Sequence, residues 1–255
     1  MDKKSRPNLF RGEAITFVFT MAIFPILVSF LTGSVKGSEQ PANLSPFIKK
    51  YIAQNATPIG ESRQLVFATN RDDSSALVTI HVLEKNKGVW QLVFPAFAGL
   101  IGEKGFAAIA KKREGDGKSP SGIFLLGIAF GYDPSVATKM PYRQATDDDF
   151  WVDDVNSGDY NKWVKGKPAA ASWERMKRDD DQYKYGIVIE YNMNPIVKGK
   201  GSAIFLHIWK DRGATVGCVA MPEEMVLKIL AWLDPASKPL IVMGTEGELC
   251  AMGCP

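Results

Sequence analysis

Apolar and β-branched residues fall along much of this chain in short runs with turn-forming residues between them. Gln64 to Thr69, Ala76 to Leu83 and Val89 to Phe94 are three such runs, separated by Asn70-Arg71-Asp72-Asp73 and Asn86-Lys87-Gly88. Each run predicts a strand. Four more strands are predicted over Ile123 to Phe130, Tyr185 to Tyr191, Ala203 to Trp209 and Lys238 to Met243. Ala203 to Trp209 contains no Gly or Pro and reads as buried. Helical spacing is strong in one place, Met225 to Leu233, where Pro222 suits a first helical position and Glu223 and Glu224 suit the positive end of the helix dipole. Ala96 to Gly105 is apolar and Gly-rich, with a bend at Glu103 and Lys104.

The span from Tyr132 to Asp181 is long and polar, yet it carries Trp151, Tyr160, Trp163 and Trp173 among Asp147, Asp148, Asp149, Asp153 and Asp154. Disordered segments are poor in aromatic residues, so this one is expected to pack over the sheet as a lid or side wall. Its carboxylates are candidates to meet a substrate amine, with solvated loop charge as the plainer reading. Taken together, the elements predict a mainly β fold: a β-sandwich of mixed sheets, one helix at its edge, and a long aromatic loop insertion.

The first residues follow another pattern. Lys3, Lys4, Arg6 and Arg11 precede an apolar stretch from Ala14 to Leu31, and Thr32 to Gly37 is small and polar. Residues 1–37 therefore read as an export signal cleaved near Gly37, with an uncleaved membrane anchor as the alternative. Either form places the remainder outside the cytoplasm, in the periplasm or at the cell wall. Membrane contact is expected only through this segment. Residues 38–60, with Pro41, Pro46 and Pro58, read as a linker holding one short helical possibility at Phe47 to Ala53. The folded domain is then 61–246, and 247–255 a tail.

Composition narrows the function. Hydrophobic residues make up 45% of the 255, enough for a folded core. The net charge is +3 and no basic stripe is present, which argues against nucleic acid as a partner. Gly115 to Gly122 is glycine-rich but leads through Pro120 into a strand, so it is not a phosphate-binding loop ahead of a helix. No cofactor is implied. Of the two histidines, His81 lies inside a predicted strand and reads as structural. The three cysteines are Cys218, Cys250 and Cys254. In an oxidising compartment Cys250 and Cys254 are close enough in sequence to pair, which leaves Cys218 as a reactive thiol, although other pairings stay open. A zinc site of His207 with the three cysteines lacks the usual close Cys pair at each end, so no metal is expected.

Chemistry concentrates between Gly201 and Pro222. His207 stands near the end of a buried strand, and the chain returns through Thr215, Val216 and Gly217 to Cys218, which reads as sitting in a turn that leads into the helix. The reactive form of cysteine is the thiolate, and a free thiol with a pKa of about 8.5 is mostly protonated at neutral pH. A nearby imidazole and a helix N-terminus both favour ionisation. That pattern makes Cys218 a candidate nucleophile, His207 its base, and the N–H groups of Gly217 and Cys218 candidate oxyanion donors. A buried, unreactive cysteine and a satisfied core histidine are the plain alternative.

Phe205-Leu206-His207 followed by Thr215-Val216-Gly217-Cys218-Val219-Ala220 resembles the signature of the L,D-transpeptidase family, the YkuD-like catalytic domain. Gly115 to Phe124, Tyr142-Arg143-Gln144, Phe150 to Asp154 and Tyr160-Asn161 resemble a branch of the same family. The likeness covers most of residues 61 to 245. It implies a cysteine acyltransferase acting on peptidoglycan stem peptides: Cys218 attacks an amide after a meso-diaminopimelate-type residue, and a second amine resolves the thioester. The acceptors it allows are another stem peptide, a wall-attached lipoprotein, or water; with water the enzyme is an L,D-carboxypeptidase or amidase. On the same footing Thr215, Trp209 and Arg212 are expected at the substrate. Val216 stands where the family usually has a second His and Ala220 where it has Arg or Asn, and a non-catalytic wall-binding relative is the remaining reading.

Overall fold

The computed structural model describes residues 44–210 and 213–251. In chain order the elements are α1 (Pro46–Gln54), α2 (Ala56–Ile59), β1 (Gln64–Asn70), β2 (Leu77–Asn86), β3 (Val89–Leu92), β4 (Phe97–Leu100), β5 (Gly122–Gly131), β6 (Tyr142–Gln144), β7 (Asp149–Val152), β8 (Lys162–Lys165), β9 (Trp173–Arg175), β10 (Tyr185–Ile189), β11 (Phe205–Ile208), β12 (Val219–Met221), α3 (Glu223–Trp232), β13 (Leu240–Thr245) and α4 (Glu246–Ala251). The fold is mainly β with mixed sheets, as the residue pattern predicts. One sheet runs β1-β13-β5-β10-β11-β12-β4-β2-β3, with β6 beside β5. Because β2 also pairs with β1, the path returns on itself, and the layers expected as a sandwich belong to one continuous sheet. A separate three-stranded sheet, β8-β7-β9, is built entirely from the aromatic insertion.

Alternation along the strands sorts side chains onto two faces. One face carries Val66, Ala68, Ile80, Ile187, Leu206, Ile208, Ile241 and Met243, which pack with Val226, Ile229 and Leu230 of α3 into the main core. The opposite face is covered in two places. Leu65, Phe67 and Val242 of β1 and β13 lie under Ile48 and Tyr51 of α1 and Leu249 of α4. Phe130, Val188 and Phe205 lie under Trp151, Met176 and Tyr183, contributed by the insertion and the segment just after it. Strands buried on both faces read as continuous apolar runs, which is why β11 lacks alternation in its sequence.

Several expectations are corrected here. From Leu44 onward the supposed linker is folded: Ser45 caps α1 by accepting from the Ile48 N–H at 3.2 Å, Pro46 opens the helix, and Ile48 and Tyr51 are fully buried. The supposed tail begins as α4, where Leu249 is buried and Glu248 accepts from the Ile109 N–H at 2.6 Å. Phe97 to Leu100, within the apolar, Gly-rich stretch, is β4. Gly99 is what lets it fit, since a Cβ there would lie 2.9 Å from Ile80 and 3.1 Å from the Ala220 carbonyl. Cys218 leads into β12 rather than directly into a helix. The export signal at 1–37, Arg212 and Cys254, and with Cys254 its proposed pairing with Cys250, lie outside the described residues.

Candidate active site

The register of two parallel strands brings the candidate pair together. Leu206 lies beside Val219 and His207 beside Ala220. Stepping back along both strands sets Phe205 next to Cys218, and the Phe205 N–H donates to the Cys218 sulfur at 3.3 Å. Since alternate residues share a face, Phe205, His207, Cys218 and Ala220 all point toward the insertion. Cys218 and His207 line one cleft of about 400 Å³, together with Thr215, Val216, Gly217, Ala203, Tyr183, Glu174 and Arg178. The cysteine is 7% exposed and the histidine 3%.

Burial sets the resting charges. It pushes the Cys218 thiol up to about 12, with the nearby Glu174 acting in the same direction and the Phe205 N–H and Tyr183 hydroxyl acting against it. The expected lowering by a helix N-terminus is absent because β12 separates Cys218 from α3. Burial likewise lowers His207 to about 4, so its imidazole is neutral at pH 7. Its Nδ1 lies 2.9 Å from the Ile208 carbonyl, which can only accept; the proton therefore sits on Nδ1 and leaves Nε2 basic. Tyr183 packs edge-on against the imidazole with ring centroids 5.1 Å apart. The Cys218 thiol donates to the Ala203 carbonyl at 3.2 Å. Ala203 has a left-handed φ of 53°, and its N–H donates to Asn161 Oδ1 at 3.1 Å. A conformation unfavourable for alanine is thus held by the insertion on one side and the thiol on the other.

The turn ahead of Cys218 is tied down by two hydroxyls. Thr215 Oγ1 accepts from the Gly217 N–H at 3.1 Å and donates to the Cys218 carbonyl at 2.7 Å. Ser119, fully buried, donates to the Gly217 carbonyl at 2.6 Å and accepts from the Gly102 N–H at 3.0 Å. Of the residues expected at the substrate, Thr215 lines the cleft but spends its hydroxyl on this turn. Trp209 is half-buried just beyond β11 and is not among the cleft-lining residues. Val216 stands at the rim, 73% exposed.

Sequence reasoning did not single out Ser119, Glu114, Glu174, Arg178 or Tyr183. The Ser119 loop carried a signal in the glycine-rich run resembling the family. Glu114 Oε2 accepts from Tyr160 at 2.5 Å and from Ser202 at 2.7 Å, partners far from it in sequence, and Glu174 accepts from the Tyr183 hydroxyl across a turn, so neither pairing gives a local pattern. Among the insertion's Asp147, Asp148, Asp149, Asp153 and Asp154, Asp153 lines the cleft. Asp149 is instead a structural hub, accepting from Arg143, Thr146 and Trp163.

Strand register places the cysteine and the histidine on one face of the sheet and in one cleft. The family model for the L,D-transpeptidase catalytic domain matches residues 72–242, and the chain belongs to that family. Among solved structures, the helical cell shape determining protein Pgp2 from Campylobacter jejuni is similar at 18% identity and a TM-score of 0.39. The match covers 73% of this chain and 49% of that one, so this chain spans about half that structure's length. No curated protein matches the chain in sequence.

Proposed function

We propose that the protein is an L,D-transpeptidase that acylates Cys218 with the stem peptide of peptidoglycan. The observation that carries this reading is the β11–β12 register, which sets His207 and Cys218 on one covered face and in one cleft. His207 Nε2 takes the thiol proton as the sulfur attacks the amide carbon after the meso-diaminopimelate-type residue. The negative charge on the amide oxygen falls to the Cys218 N–H, since the Gly217 N–H is committed to Thr215. Collapse breaks the C–N bond, the imidazole returns the proton to the leaving amine, and a thioester remains. A second stem amine then attacks, giving a cross-link and restoring the thiol. Because both groups begin neutral, proton transfer accompanies attack, and no resting thiolate is required. Residues 1–37 fit this role as the export signal that delivers the domain to the wall.

Incubation with purified muropeptides, followed by chromatography and mass spectrometry, tests the reading. A cross-linked dimer is expected from the wild type and none from Cys218→Ser. A shortened monomer instead of a dimer identifies water as the acceptor, and unaltered stems with the wild type overturn the proposal.

A further inference from the structure

Two carboxylates of the Cys218 cleft are already taken up by hydroxyl groups. Glu114 accepts from Tyr160 and Ser202, and Glu174 accepts from Tyr183. The cations of the cleft are held from outside it. Lys112, 4% exposed, donates to Asp116 at 2.6 Å, and Arg178 donates to Asp180 at 2.6 Å, neither acceptor being a lining residue. Among the described residues, Asp153 is the remaining carboxylate of the lining. It directly follows β7, whose Trp151 packs edge-on against Phe205 of β11 with ring centroids 4.9 Å apart, so the strand that covers β11 also fixes the place of Asp153. Asp153 Oδ1 is buried and has no hydrogen-bond partner among the described residues, and it is the one such buried atom in this cleft. Buried polar atoms are normally paired, charged oxygens above all. Lys112 and Arg178 pair elsewhere, so neither neutralises it.

We propose that Asp153 binds the side-chain ammonium of the residue whose carbonyl is attacked, and so selects a donor stem that carries a free, charged amine. The identity of that donor, a diaminopimelate-type residue, rests on the proposed function. An ammonium supplies both things that Asp153 lacks, a hydrogen-bond donor and a positive charge. The amine of the acceptor is the poorer match. It must lose a proton before it attacks the thioester, and a carboxylate beside it favours the charged form. The donor side chain takes no part in the bond changes and keeps its charge throughout. Asp153 is thus a specificity-determining residue, and its contribution is made when the donor binds.

Binding to Cys218→Ala, which cannot be acylated, tests this without turnover. Calorimetry compares a stem tetrapeptide with the same peptide carrying hydrogen in place of the side-chain amine, a change that adds no bulk. The peptide with the amine should bind about tenfold more tightly. Adding Asp153→Asn should weaken that peptide alone and bring the two affinities within about twofold of each other. Equal affinities with Asp153 in place, binding of neither peptide, or a preference that survives Asp153→Asn would each overturn the inference. Should Asp153→Asn fail to fold, Asp153→Ser is read by the same criterion. A thioester in the wild type together with equal affinities would remove this inference and leave the proposed function standing; the expected preference with no thioester in the wild type would do the reverse.

Discussion

The outward side chains of β1 and β13 and those of β11 and β12 belong to one sheet surface, yet they are covered in opposite ways. Over Leu65, Phe67 and Val242 the cover is helical, and an amphipathic helix presents an apolar stripe while satisfying its own backbone. Over Phe205, His207 and Cys218 the cover is a small sheet with irregular connections, which brings Tyr183 and Glu174 with it and leaves a cleft. The first covering excludes water and adds stability. The second desolvates two titratable groups without filling the space above them. The proposed chemistry therefore depends on the kind of element laid over the sheet as much as on the strand that carries the candidate nucleophile.

Substitutions on the two patches should separate activity from stability. His207→Gln keeps the size of the side chain and removes the base, so acylation of Cys218 should fall about 100-fold or more with the unfolding midpoint little changed. Rapid-quench measurement of the acylated fraction reads this directly, and an unchanged rate would remove His207 from the mechanism. Phe67→Ala, under α1, should cost about 3 to 5 kcal/mol of stability in denaturant unfolding and leave kcat/KM of the folded fraction unaltered. A loss of activity in the folded enzyme would show that the two patches are coupled.

Much of this division could be read in the residues. The strands β1, β2, β5, β10, β11 and β13 follow from runs of branched and aromatic residues, and α3 from Pro222, the two glutamates and helical spacing. The two residues proposed as nucleophile and base stand out in the sequence because His207 ends such a run and Cys218 follows the next turn. The helical cover was less so, although Ser45-Pro46 is a start signal, because three prolines within a polar stretch suggest a linker. β4 was hidden by Gly99, whose value is a close approach to strands far away in sequence. β7 to β9 are short and pair only with one another, so their sequence resembles a loop. Glu174 and Tyr183 meet across a turn, and their joint approach to Cys218 depends on long-range packing that no local spacing encodes.

A smaller effect sharpens the comparison at the edge of the insertion. Burial alone would raise the Asp149 carboxyl, but hydrogen bonds from Thr146, Trp163 and Arg143 outweigh it and hold the group at about 2. A folded value below the unfolded carboxylate value of about 3.9 gives stability that is complete above pH ~4 and is lost as pH falls toward 2. Asp149→Asn should therefore cost about 2 to 3 kcal/mol at pH 7 and flatten the fall in the urea midpoint between pH ~4 and ~2. An unchanged acid profile would mean that this carboxylate does not anchor the cover.

The most direct measurement is the mass of the protein after brief incubation with a stem tetrapeptide, followed by proteolysis to locate the adduct. The wild type should gain the acyl part of the donor on the peptide containing Cys218, and Cys218→Ala should gain nothing. An adduct that persists in Cys218→Ala, or a wild type that takes up no acyl group while turning over the peptide, would contradict the covered cysteine as the nucleophile.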